Sequence, residues 1–171
     1  RATRDVDFEA RIPAPGRGAT AWTALAAAMA RARLTTGVAA QFSEEIDRWS
    51  AISLGAYRTH AHPWRRFGRV SVHLLEPAYF AIGKLARGTA PDLSDVRAVF
   101  KRQRVPWRRA ARVWGAALRR SPLSSAVPLF ARQVEHFFAT DGPALWGTRF
   151  NPAAAVNAFR RAARSHRKSQ A

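Results

Sequence analysis

Residues 106–120 read PWRRAARVWGAALRR, and this stretch decides the fold class. Pro106 fixes φ at a helix start, and Trp107, Ala111, Trp114 and Leu118 then recur at i, i+4, i+7 and i+11. Arg108, Arg109, Arg112, Arg119 and Arg120 occupy much of the remaining circumference. An apolar stripe of helical period beside a guanidinium-rich flank specifies a helix that packs on one side and presents charge on the other.

Toward the C-terminus the same grammar repeats. Ser121 and Pro122 interrupt the chain, and Val127, Phe130, Val134, Phe137 and Phe138 then mark a helix with Pro128 in its first turn and Gly142 at its end. Asn151 followed by Pro152 is a cap and first-position signal for a final helix, with Val156 and Phe159 on one face. Arg160, Arg161, Arg164 and Arg167 surround it, and Lys168 to Ala171 reads as a frayed end. Immediately before Pro106, Asp92 and Asp95 sit in the first turn of a helix that ends in Lys101, Arg102 and Arg104, each charge matching the helix dipole.

Further toward the N-terminus, Trp64 to Leu75 is expected to form a helical element, broken near Glu76 and continued from Pro77 through Leu85, with Gly88 closing it. Val38, Phe42, Ile46, Trp49, Ile52 and Ala56 recur at three- and four-residue spacing and predict an amphipathic helix that ends at His60 to Pro63. Ala21 to Leu34 predicts a first helix, capped by Thr20, with Trp22, Leu25, Met29 and Ala32 on its stripe. Residues 1–18, with Pro13, Pro15, Gly16 and Gly18, read as an extended arm that lies on a neighbour's surface. No alternating run with hairpin turn chemistry and no fixed-period repeat is read. The expected fold is all-α: an irregular bundle of about seven short-to-medium helices in one domain over 19–171, preceded by the arm.

Charge sets the class of partner. The 171 residues carry 29 Lys and Arg against 11 Asp and Glu, a net charge of +18. Only Lys84, Lys101 and Lys168 are lysines, and the planar guanidinium suits bidentate contact with phosphate or carboxylate. Residues 1–96 hold 13 basic and 9 acidic side chains, net +4, whereas 97–171 hold 16 and 2, net +14. Hydrophobic residues make up 47%, with six Trp and ten Phe, enough apolar surface to fold a core. The absence of cysteine excludes disulfides, thiolate metal sites and a Cys nucleophile.

Residue patterns for catalysis are missing. His60 and His62, with His73 beyond, have metal-like spacing, but Arg58, Arg65 and Arg66 beside them disfavour a bound cation, so they read as loop or interface histidines. Glu44 and Glu45 are adjacent and diverge on a helix, and Asp92 and Asp95 are explained by the dipole. Ser124 and Ser125 have no glycine-framed elbow, and Gly16-Arg17-Gly18 follows no strand. The expectation is a protein without enzymatic activity or cofactor.

The positive signal is an aromatic followed by two arginines, repeated at Trp64-Arg65-Arg66, Trp107-Arg108-Arg109 and Phe159-Arg160-Arg161. Trp64, Trp107, Trp114 and Phe159 are the candidate interface anchors. Arg65, Arg66, Arg108, Arg109, Arg112, Arg119, Arg120, Arg160, Arg161 and Arg164 are the candidate anion- and partner-binding residues. A start at Arg1 rather than Met reads as a trimmed chain or the mature product of an imported precursor, and no apolar run spans a bilayer. The expected role is an accessory subunit of a mitochondrial inner-membrane assembly, a respiratory complex or ATP synthase, contacting other subunits and anionic lipid such as cardiolipin. The alternative is a structural protein of the mitochondrial ribosome that contacts rRNA.

Overall fold

A computed structural model describes residues 5–11, 18–43 and 45–164; the arm residues Pro13 and Pro15 and the basic end from Arg167 lie outside them. The described residues form seven α-helices and two separate two-stranded sheets, so the chain is mostly helical but not all-α. It divides into two compact units, Arg1–Trp49 and Ser50–Ala171, and the boundary expected after residue 18 is not where the units part.

In the first unit β1 (Asp5–Glu9) pairs in parallel with β2 (Ala39–Ser43), with Phe8 opposite Phe42. Parallel neighbours cannot be joined by a tight turn, and α1 (Gly18–Thr36) is their crossover. Gly37 ends α1 at φ +70°, donating its N–H to the Arg33 carbonyl at 2.9 Å. The Trp22 ring stacks on Phe42 at 5.0 Å, and Leu25 and Met29 share its half-buried state, as the stripe over Ala21 to Leu34 requires.

The amphipathic helix expected over Val38 to Ala56 does not form. Phe42 belongs to β2, and Ile46–Trp49 is a single 3₁₀ turn. Beyond it the Ser50 and Ser53 hydroxyls accept the N–H groups of Ile52 and Gly55 at 3.2 and 3.1 Å. These local side-chain bonds give the backbone an alternative to the helical ladder. Gly55 then takes φ +60°. Ile52, Leu54 and Tyr57 are nonetheless buried, so the apolar spacing reports core residues on an irregular path.

The second expected helix to fail is Trp64 to Leu75. β3 (His62–Phe67) and β4 (Val70–Leu74) form an antiparallel hairpin around Gly68-Arg69, with Gly68 at φ +58°. Glycine at positive φ in the first turn position is the demand of a type II′ turn. Helical structure resumes at Pro77, where the sequence breaks as expected near Glu76.

The remaining helices are α2 (Pro77–Arg87), α3 (Ala90–Gln103), α4 (Trp107–Arg120), α5 (Ala126–Thr140), α6 (Gly142–Trp146) and α7 (Pro152–Arg164). Their starts follow chemistry: Thr89 Oγ1 accepts from the Asp92 N–H at the head of α3, and Asn151 Oδ1 accepts from the Ala154 N–H at 3.0 Å at the head of α7. α4 is the hub, packing on α7, α2 and α5. Trp114 is fully buried against Phe100, Phe137 and Phe138, with ring centroids 5.7, 5.8 and 5.3 Å away, and its indole N–H donates to the Ala78 carbonyl at 2.9 Å. α7 crosses α4 closely at Gly115, where a methyl group would lie 2.6 Å from the Phe159 carbonyl oxygen.

Candidate anion-binding surface

The second unit consumes its own acids. Described residues 50–164 contain 20 Lys and Arg and 5 Asp and Glu, a net of +15, and each of the five acids sits in an internal ion pair. Glu76, just before α2, takes both of its oxygens to the Arg109 guanidinium of α4. Those hydrogen bonds hold the Glu76 carboxyl below its ordinary range against the upward push of burial, and they raise Arg109 in turn. His60 joins this group 3.9 Å from Glu76 and stacks on Tyr79, whose phenol burial pushes up.

Asp92 is the most strongly held. Burial favours its neutral form, but Arg87 donates to it at 2.7 and 3.1 Å and the Thr89 hydroxyl at 2.7 Å, which outweigh burial and place its carboxyl at about 2. Lys84 lies 3.3 Å from Asp92 and 2.8 Å from Asp95. Arg97 holds Asp141 at 2.7 Å, and Arg160 binds Glu135 through two nitrogens at 2.8 and 2.7 Å, tying α7 to α5.

These ion pairs divide the candidate arginines into two groups. Arg109 is spent on Glu76, Arg160 on Glu135, and Arg119 donates to the Ala162 carbonyl across the α4–α7 contact, so these three brace the fold. Arg108, Arg112, Arg120, Arg161 and Arg164 are exposed and have no acidic partner among the described residues. Arg108 lies over the Trp107 ring at 4.5 Å, so its guanidinium is held at the surface by the helix that carries it. Trp107 is half-buried on Phe150, while Trp114 and Phe159 are wholly inside the core. Those last two cannot anchor a partner, because no surface of theirs is reachable. The aromatic stripe of residues 106–120 is therefore core for its own unit.

Trp64, Arg65 and Arg66 stand on the hairpin, and the sequence reading missed what surrounds them. Register shifts between Pro63 and Arg65, leaving Trp64 as the extra residue of a bulge. A bulge turns consecutive side chains toward one face. The Trp64 ring accordingly meets Phe67 at 6.5 Å, and the Arg65 guanidinium lies over both rings at 5.9 and 5.8 Å. Val70 is opposite Phe67, and Val72 and Leu74 follow at the two-residue repeat on that face. Trp64, Phe67, Val70 and Leu74 are 58, 54, 61 and 52% exposed. Arg66, whose Nε donates to the Gly68 carbonyl at 2.9 Å, and Arg69 at the turn complete a hairpin with three arginines and no acid.

No group of three metal-ligating side chains occurs among the described residues, and two surface depressions along α1 and β2 are lined without a carboxylate or histidine. No helix of the described residues is long and apolar enough to cross a membrane. No protein-family model, curated protein or solved structure matches the chain.

Proposed function

We propose that the chain is a non-catalytic binding subunit whose helical unit holds a larger assembly against a polyanionic surface. One observation carries this: all five acids of residues 50–164 are already paired internally, and the described residues of this unit still keep a net charge of +15. A cationic excess on that scale is matched by an external phosphate-rich or acidic partner. In its finer form the reading is an accessory subunit of a mitochondrial inner-membrane energy-transducing assembly, with phosphates of lipid such as cardiolipin and acidic neighbouring subunits as the anions.

The test compares the wild-type chain with Arg108→Gln/Arg112→Gln/Arg161→Gln/Arg164→Gln at physiological ionic strength, using anionic vesicles and, separately, a structured RNA. The variant keeps the helical circular dichroism of the wild type and binds both anions more weakly, by about fivefold for each charge removed near a lipid surface. Equal binding by variant and wild type to both probes would remove this surface from the function. Loss of the chain from its native assembly on exhaustive ribonuclease digestion would transfer the reading from the inner membrane to ribosomal RNA.

A further inference from the structure

We infer that the β3–β4 hairpin is a membrane-docking element, which inserts its apolar face into the headgroup region of an anionic bilayer while its arginines bind lipid phosphate. The inference rests on the reading of the chain as a polyanion binder and adds where and how one such anion is engaged. Three properties of the hairpin coincide. Its two strands pair only with each other among the described residues, so no third strand extends the sheet at either edge. Its large side chains on one face, Trp64, Phe67, Val70 and Leu74, are each more than half exposed. Its charge is wholly positive, with Arg65, Arg66 and Arg69 and no acid.

An isolated two-stranded hairpin with a wet apolar face is marginal in water and marks an interaction site. Charge complementarity requires an anionic occupant. The face measures about 17 Å along five residues and about 10 Å across two strands and presents four large apolar side chains, far fewer than the roughly 20–30 residues per partner of a stable protein interface. A second protein copy seated on this face alone would not hold. A bilayer has no such threshold, because the same small wedge gains by burying each apolar side chain it inserts. Between the two phosphate-bearing partners, the chemistry of the face favours lipid. Bases stack on Trp64 and Phe67, but Val70 and Leu74 offer no π surface and match acyl chains instead.

The bulge serves this role directly. By turning Trp64 onto the face of Phe67, it gathers two rings under the Arg65 guanidinium. Trp then sits at headgroup depth, and the Arg65 stem runs along the apolar face with its charged end at phosphate level. Arg69 at the turn and Arg66 on the opposite face reach the same layer from the hairpin tip and flank.

The full chain is floated with phosphatidylcholine vesicles, with and without 30% phosphatidylglycerol, at about 0.15 and 0.5 M NaCl; binding by charge alone fades over this range as screening shortens. Wild type is expected to bind only the anionic vesicles and to keep a salt-resistant fraction at the higher salt. Trp64→Ser/Phe67→Ser should lose that fraction while retaining binding at the lower salt. Arg65→Gln/Arg66→Gln/Arg69→Gln should bind more weakly at the lower salt, about fivefold per charge. Vesicles with brominated acyl chains should quench wild-type fluorescence more than that of Trp64→Phe. Salt-resistant binding by the Ser variant equal to wild type, or quenching unchanged in Trp64→Phe, overturns the hairpin inference and leaves the polyanion reading standing. Wild type that ignores anionic vesicles but binds single-stranded RNA through Trp64 overturns the lipid assignment and makes the hairpin a base-stacking ribbon.

Discussion

Replacing Gly115 by alanine tests the packing that fixes the basic surface, because α7 is placed by its crossing with α4. In an exposed helix interior this exchange stabilises by about 1 kcal/mol through backbone entropy. At Gly115 the new methyl group would lie 2.5 Å from Ala162 Cβ, 2.6 Å from the Phe159 carbonyl oxygen and 3.0 Å from the Ala163 nitrogen. Ordinary carbon contacts need about 3.5–4.0 Å, so the helices must part by about 1 Å. Two of the three obstacles are backbone atoms of α7 and cannot rotate away. Overpacking of this kind costs about 1–3 kcal/mol, which leaves a net loss of up to about 2 kcal/mol after the helical gain. Gly83 in α2 is the internal control, since a methyl group there meets nothing within 4 Å and φ is not positive. Gly83→Ala should stabilise by about 1 kcal/mol. Urea unfolding followed at 222 nm should therefore raise the Gly83→Ala midpoint by about 0.5 M and lower the Gly115→Ala midpoint by up to about 1 M if the slope is near 2 kcal/mol/M. Adding Ala162→Gly to Gly115→Ala should restore only part of the loss, because the Phe159 oxygen remains. A Gly115→Ala midpoint that rises with that of Gly83→Ala would refute the close crossing and with it the placement of Arg161 and Arg164 beside α4.

Asp92 makes stability pH-dependent with a definite sign: its folded carboxyl titrates at about 2, below the usual 3.8, so its contribution is full above the usual value and is lost as pH falls through about 2. Asp92→Asn should be less stable than wild type by about 2 kcal/mol at pH 6, and a gap that fails to close on acidification toward pH 2 would contradict the ion-pair origin. Trp114→Ala should cost about 3–5 kcal/mol, since it empties a fully buried site and removes the indole hydrogen bond to the Ala78 carbonyl; thermal or urea unfolding showing a loss below about 1 kcal/mol would mean that Trp114 is not the centre of the core.

Helices from Pro77 onward were legible because caps, prolines and apolar period agree in each of them. Thr89, Pro91 and Asp92 open α3, Asn151 and Pro152 open α7, and the Trp107 stripe describes α4. In residues 38–75 a helical apolar period coexists with local signals that oppose it, and the local signals win. Val70-Ser71-Val72-His73-Leu74 alternates strictly, and Gly68-Arg69 stands directly before it, which together specify a strand after a two-residue turn. Ser50 and Ser53 likewise announced local turns within the supposed amphipathic helix. The parallel pairing of β1 with β2 had no local signal, because its partners are separated by the whole of α1 and a parallel register carries no turn to mark it. At the candidate site, composition gave the excess of positive charge but could not say which arginines were committed. Arg108 and Arg109 are neighbours in one Trp-Arg-Arg unit, yet Arg109 lies deep enough to pair with Glu76 from 33 positions away while Arg108 stays on the surface above Trp107. One helical step of rotation separates a fold-bracing guanidinium from one available to a partner, and only tertiary packing decides which is which.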